Sequence, residues 1–430
     1  MTTITSSHVG VPIDSFPGAL GSSGAPSQVQ RLARFVTDSR WEDISDEARE
    51  QLKLRVLDSL GCALGALGAE VPALVGAQVR EFGGAPLAIL IGSGKSAPDR
   101  AALYNGTLVR YLDFNDSYLA PGETCHPSDN LAAVLAACEY SHADGRTLLS
   151  ALAVAYQVQN RLSEVAPVRA KGFDHTTQGA YAVAAGVSRA LGLDEVFEGN
   201  KGFIETIAGP FEIDWSQEDL ESVRRTILKR YDAEIHSQSA IEALLELRSQ
   251  HDLHASEVQR IELDTFQVAY DIIGGGEEGE KQSVATKEEA DHSLPYLLAV
   301  ALLDGQVLPE QYLPGRILGE DVQELLRRVV VRADPGLSQR FPAQHSARVR
   351  LFLGDGRILE REQHDYEGFH TRPMSWDTVA AKFDRLAAGH VEPKLGARIQ
   401  DAVRRLEELD VEDLTRLLAG PLASDPKQPA

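Results

Sequence analysis

The chain is poor in three things. It holds three cysteines in 430 residues, Cys62, Cys125 and Cys138, and no CxxC pair. That excludes a disulfide-built scaffold and leaves an iron–sulfur cluster without a cysteine motif, so a reducing cytoplasm is the expected setting. No run of eighteen or more apolar residues occurs, so no membrane-spanning helix is expected. Basic residues are scarce: 42 Lys and Arg stand against 64 Asp and Glu, a formal charge of −22. A surface of that sign repels nucleic acid and anionic membranes. Residues 1–26 are rich in Ser, Gly and Pro without a basic start or an apolar stretch, and read as a disordered tail rather than a signal peptide.

What is there is the composition of a globular protein, 25% charged and 43% hydrophobic, with room for about two domains. From 27 to 225 the pattern is helical and alanine-rich. Ser45 can cap a helix over Asp46–Leu67, whose Gly61, Gly65 and Gly68 would let another helix approach closely. Further helices are expected at Ala101–Leu112, Asn130–Ala143, Thr147–Val165 and Gly179–Leu191. Near Thr226 the period changes. Val258–Phe266 alternates, Arg328–Ala333 is rich in valine, and Gly354-Asp-Gly356 joins two strands as a hairpin. With helices at Gln238–Arg248, Ala290–Leu303 and from Ser375 to Leu386, residues 226–395 read as a smaller α+β domain. Helices in 396–420 then return to the first domain. The fold class expected is a large all-helical domain with a second, smaller α+β domain.

Chemistry concentrates in a few runs. Tyr111-Leu-Asp-Phe-Asn-Asp-Ser-Tyr118 sets Asp113 and Asp116 three apart, one helical face if the segment is helical. A Pro/Gly loop leads to His126-Pro-Ser-Asp-Asn130. Acids at a helix end with a histidine on the adjoining loop suit proton transfer, because each group is positioned and its pKa tuned. The plainer alternative is a pair of solvent-facing or capping aspartates and a helix-terminal histidine. Two aspartates separated by Asn115 are too sparse for a metal site, so no metal is expected. Cys125 adjoins His126, but chain neighbours point apart, which argues against a thiol–imidazole nucleophile. His175, in Lys171-Gly-Phe-Asp-His-Thr-Thr177, opens a small-residue helix, where a helix N-terminus favours neutral imidazole. Lys229 and Arg230 are adjacent cations in a strongly acidic molecule, while His236 nearby either packs or caps. Tyr296, in Ala290-Asp-His-Ser-Leu-Pro-Tyr296, is otherwise a core aromatic.

Together these runs resemble the MmgE/PrpD family, whose best-known members are 2-methylcitrate dehydratases, from about Gln28 to Leu418. The resemblance implies Asp113, His126, His175, Lys229 and Tyr296 as catalytic residues, with Asp116, Ser117, Arg230 and His236 around the substrate. Ser117 stands where relatives often carry threonine, which keeps a hydroxyl. The resemblance further implies a lyase acting without cofactor on 2-methylcitrate or a related tricarboxylate, in a homodimer. Cis-aconitate decarboxylation and imino-diacid epimerisation are alternatives that fold alone does not separate. One departure stands out. After Leu191–Asp194 the chain jumps to Phe197–Phe203, where relatives continue through more helices, one carrying a lysine aligned with the active site. Lys201 is the nearest replacement in sequence. This gap motivates a different reading, a degenerate member that binds ligand or dimerises through the uncovered surface.

Overall fold

The computed structural model describes residues 28–192 and 212–419. The tail expected over 1–26, the shortened connection after Asp194 and Lys201 lie outside the described residues. The first domain packs α1 (Gln28–Asp38), α2 (Asp46–Gly65), α3 (Glu70–Phe82), α4 (Pro98–Tyr111), α5 (Leu131–Ser141), α6 (Gly145–Val165) and α7 (Thr176–Leu191). Two short antiparallel hairpins, β1–β2 (Ala88–Leu90, Gly94–Ser96) and β3–β4 (Tyr118–Ala120, Glu123–Cys125), interrupt the helices. They are too short to show as period-two patterns. Ser45 caps α2 as expected, its hydroxyl accepting from the Ala48 amide at 3.1 Å. Among the described residues no single helix is long and apolar enough to cross a membrane.

The second domain holds α8 (Gln238–His251), α9 (Lys287–Asp291), α10 (Leu294–Asp304) and α11 (Glu320–Leu326) against a four-stranded sheet. Its strands β5 (Val258–Thr265), β6 (Val329–Ala333), β7 (Ala347–Leu353) and β8 (Ile358–Gln363) lie in the order β6-β5-β7-β8. The β6–β5 pair is parallel and the other two pairs are antiparallel. The charged residues of β5 are not left bare: Arg332 reaches Glu262 at 3.1 Å and Arg350 reaches Asp264 at 2.7 Å. One helix expected over Ala290–Leu303 is two. Ser293 caps the second, accepting from the Tyr296 amide at 3.1 Å, and Pro295 in its first turn has no N–H to continue the first.

The chain then returns as α12 (Trp376–Ala387), α13 (Pro393–Arg404) and α14 (Val411–Leu418). Met374, Val379, Phe383 and Leu386 belong to the first hydrophobic core, so the return begins well before the expected 396. The physical reason is the small-residue face of α2. A β-carbon on Gly61 would stand 3.2 Å from the Cα of Phe383, and one on Gly65 would stand 3.2 Å from the Leu386 side chain. Gly68 lies past the end of α2 at φ 82° and meets nothing. Gly61→Val is expected to cost about 1–3 kcal/mol by overpacking this contact, read as a lower urea midpoint with an unchanged slope.

Candidate active site

The run from Tyr111 to Asn130 folds back on itself. Helix α4 stops at Tyr111, and Asp113 takes the left-handed conformation, φ 56°. Asp and Asn tolerate that region better than most residues, though it still carries strain. The two aspartates therefore do not share a helical face. Asp116 is fully buried, its carboxylate accepting from the Ser128 amide at 2.9 Å and the Tyr156 hydroxyl at 2.8 Å. It ties the HPSDN turn to α6. Ser117 pairs its backbone with Ile227 in both directions, at 2.9 and 2.8 Å, which brings the Lys229 segment alongside.

Lys229 is fully buried, and its ammonium meets the Asp113 carboxylate at 3.0 Å and also donates to the Asp113 carbonyl. Arg110 closes on the same carboxylate from α4. Burial opposes ionisation of Asp113, but Lys229 and Arg110 together hold it well below the usual carboxylate range. His126 places Nδ1 2.7 Å from the Asp116 carbonyl and 3.1 Å from the Ser117 hydroxyl. A carbonyl only accepts, so Nδ1 carries the proton and Nε2 keeps its lone pair. Burial, then Arg110 and Lys229, push the His126 pKa well below its ordinary 6.5. The His175 ring stands edge-on to His126, centroids 5.2 Å apart. It lies just before α7 and its pKa is also lowered, by burial first, with Asp174 opposing. Its Nε2 is buried without a hydrogen-bond partner. Both imidazoles are thus held neutral.

The remaining expected residues sit elsewhere. Tyr296 is buried in the second core, donating its hydroxyl to the Gln311 carbonyl, with its ring 6.2 Å from that of Tyr312. Arg230 turns outward to Glu367 at 2.6 Å. His236 pairs with Glu234 at 2.6 Å and stacks on His345, centroids 6.0 Å apart, in an aromatic nest with Phe266 and Phe341. Cys125 is buried, its thiol pKa raised by burial, and its sulfur faces Asn160 at 3.9 Å.

Sequence reasoning passed over a second group of charges, Asp291, His292 and Asp232, which lies within electrostatic reach of Asp113. Asp291 binds Lys287 at 2.5 Å and His292 at 2.6 Å, and its carbonyl accepts from the Glu234 amide at 3.1 Å. Burial opposes protonation of His292, but its hydrogen bond to the Asp291 carboxylate and the charge of that group raise the pKa. Asp232 is buried and raised to about 7, with Lys287 opposing the shift. Its second carboxylate oxygen has no hydrogen-bond partner. The signal that would have found this side is the Ser293-Leu-Pro helix start, which leaves Asp291 and His292 at a break. Among the described residues no group of three or more His, Cys, Asp or Glu is arranged to hold a metal ion.

A helical domain joined to a smaller α+β domain, with an ionised aspartate–lysine pair beside two neutral imidazoles, is the class of protein these elements define. The chain belongs to the MmgE/PrpD family: the family's N-terminal domain matches residues 30–196 and its C-terminal domain residues 231–408. It is 24% identical to a 2-methylcitrate dehydratase of Cupriavidus necator, covering 90% of this chain and 96% of that protein. It is 24% identical to the alkylcitrate dehydratase phiI of a fungal species (strain ATCC 74256), over 92% and 94% of the two chains. A cis-aconitate decarboxylase of Mus musculus is 22% identical over 93% and 95%.

Proposed function

We propose that this chain is a hydro-lyase that removes water from 2-methylcitrate or a closely related tricarboxylate. The observation that carries the reading is the buried Lys229–Asp113 pair beside the neutral His126 and His175. Dehydration next to a carboxylate needs a base for the carbon-bound proton and an acid for the departing hydroxyl. Groups whose surroundings drive their pKa values apart are suited to those two roles. His126, with its Nε2 lone pair, is the base. His292, raised by Asp291, is the acid, with Asp232 behind it. Lys229 and Arg110 offset the negative charge that builds up as the proton leaves. The two relatives named as dehydratases support this chemistry. The mouse relative supports a second reading, decarboxylation of cis-aconitate, in which an acid delivers a proton to the carbon that carbon dioxide leaves.

The test is incubation with 2-methylcitrate, citrate and cis-aconitate, following ultraviolet-absorbing alkene and released carbon dioxide. Alkene from 2-methylcitrate is the expected result. Carbon dioxide from cis-aconitate alone moves the assignment to the decarboxylase, and no turnover by folded protein overturns both. The pH profile should be a broad bell. Its acid limb follows His126, below the ordinary 6.5, and its alkaline limb follows His292, above it. His292→Asn should flatten the alkaline limb and leave the acid limb in place.

A further inference from the structure

Helix α12 sends one lysine into the join between the two site segments. The ammonium of Lys382 donates to the Phe114 carbonyl at 2.7 Å and to the Lys229 carbonyl at 3.1 Å. It also meets the Asp58 carboxylate of α2 at 2.7 Å and lies 3.7 Å from the centre of the Phe114 ring. Asp58 is 1% exposed, and the Lys382 side chain 9%. The ammonium thus donates to two backbone carbonyls and forms an ion pair with a buried carboxylate. Lys382 is therefore engaged with the backbone of both segments and with Asp58. Phe114 follows Asp113 directly, and the gripped carbonyl of Lys229 belongs to the residue whose side chain holds Asp113.

We infer that Lys382 is a positioning residue for the site: its ammonium, neutralised by Asp58, locks the left-handed Asp113 turn to the Lys229 segment. Two lysines thus interlock the same two strands of chain. Lys229 reaches from the second segment to Asp113, and Lys382 reaches from α12 to the backbone of both. The close approach at Gly61, one turn along α2 from Asp58, is what lets α12 deliver the ammonium. Without this lock the Asp113 turn would relax toward an ordinary conformation and carry the carboxylate away from Lys229 and His126. The role rests on reading Asp113 and Lys229 as part of the reacting centre.

The experiment uses the full chain with Lys382→Met and Asp58→Asn combined, so that no buried charge is left alone. Amide hydrogen exchange is followed in peptides covering 111–120 and 226–232, and the His126 ring is titrated by NMR. The expected result is at least tenfold faster exchange in those two peptides, with α2 and α12 still protected. The His126 titration should also move toward 6.5, because the charges of Arg110 and Lys229 that depress it are no longer held in place. Unchanged exchange there, or loss of protection spread equally over α2 and α12 with the His126 titration unmoved, would show that the pair only glues two helices. Neither readout requires turnover. A wild-type protein that fails to dehydrate a tricarboxylate refutes the proposed activity and leaves this result to be judged on its own.

Discussion

Lys229→Met is expected to lower dehydration by about a hundred- to a thousandfold, the usual scale for removing one charge that stabilises a transition state. Methionine keeps most of the volume of a side chain that is fully buried, so the loss is electrostatic. The Asp113 carboxylate would remain in place with Arg110 as its remaining close cation. Breaking a buried pair by removing one partner costs about 3–5 kcal/mol, so a lower melting temperature should accompany the loss of rate. The pH dependence has a definite sign. Asp113 is held below its ordinary 3.8, so its contribution is full above that value and lost as pH falls through the folded pKa. Lys229→Met removes much of that depression. The gap in stability between wild type and variant should be widest near neutral pH and should close as the solution is acidified.

His126→Asn should cut the rate by about a hundred- to ten-thousandfold, the range for a lost general base. The amide can still donate to the Asp116 carbonyl, so the HPSDN turn is expected to survive. Stability moves the other way. His126 is depressed below 6.5 in the folded protein, so the unfolded chain binds the extra proton first as pH falls. Wild type is therefore penalised increasingly below 6.5, and the variant is not. In thermal scans His126→Asn should gain on wild type as pH drops from 7 to 5, although its rate stays far lower throughout. A variant that loses stability in step with activity would identify His126 as a packing residue.

How far the residues foretold this arrangement varies from place to place. The helices that flank His126 and His175 follow from local pattern, and four of the five expected catalytic side chains converge: Asp113, His126, His175 and Lys229. The shared helical face of Asp113 and Asp116 did not survive. The Asp113 turn after α4 is gripped by Lys229, a partner 116 residues away, which no local period encodes. Tyr296 has the spacing of a core residue and is one. The Asp291–His292 side was written in the Ser293-Leu-Pro helix start, with Lys287 four residues before Asp291 on the same helix, but its meaning depends on Glu234 arriving from another segment. Likewise, Gly61 and Gly65 announced a close helix contact. That the partner would be α12, more than 300 residues on, and would bring Lys382 with it, needed the tertiary structure.

The central claim is that the Lys229–Asp113 pair and His126 work together on a tricarboxylate. The most direct measurement is proton NMR of 2-methylcitrate with wild type, Lys229→Met and His126→Asn at equal concentrations, each first shown to be folded. Loss of the methylcitrate methyl signal with growth of the alkene product in wild type, and not in either variant, is the predicted result. Equal conversion by all three, or none by a folded wild type, would contradict it.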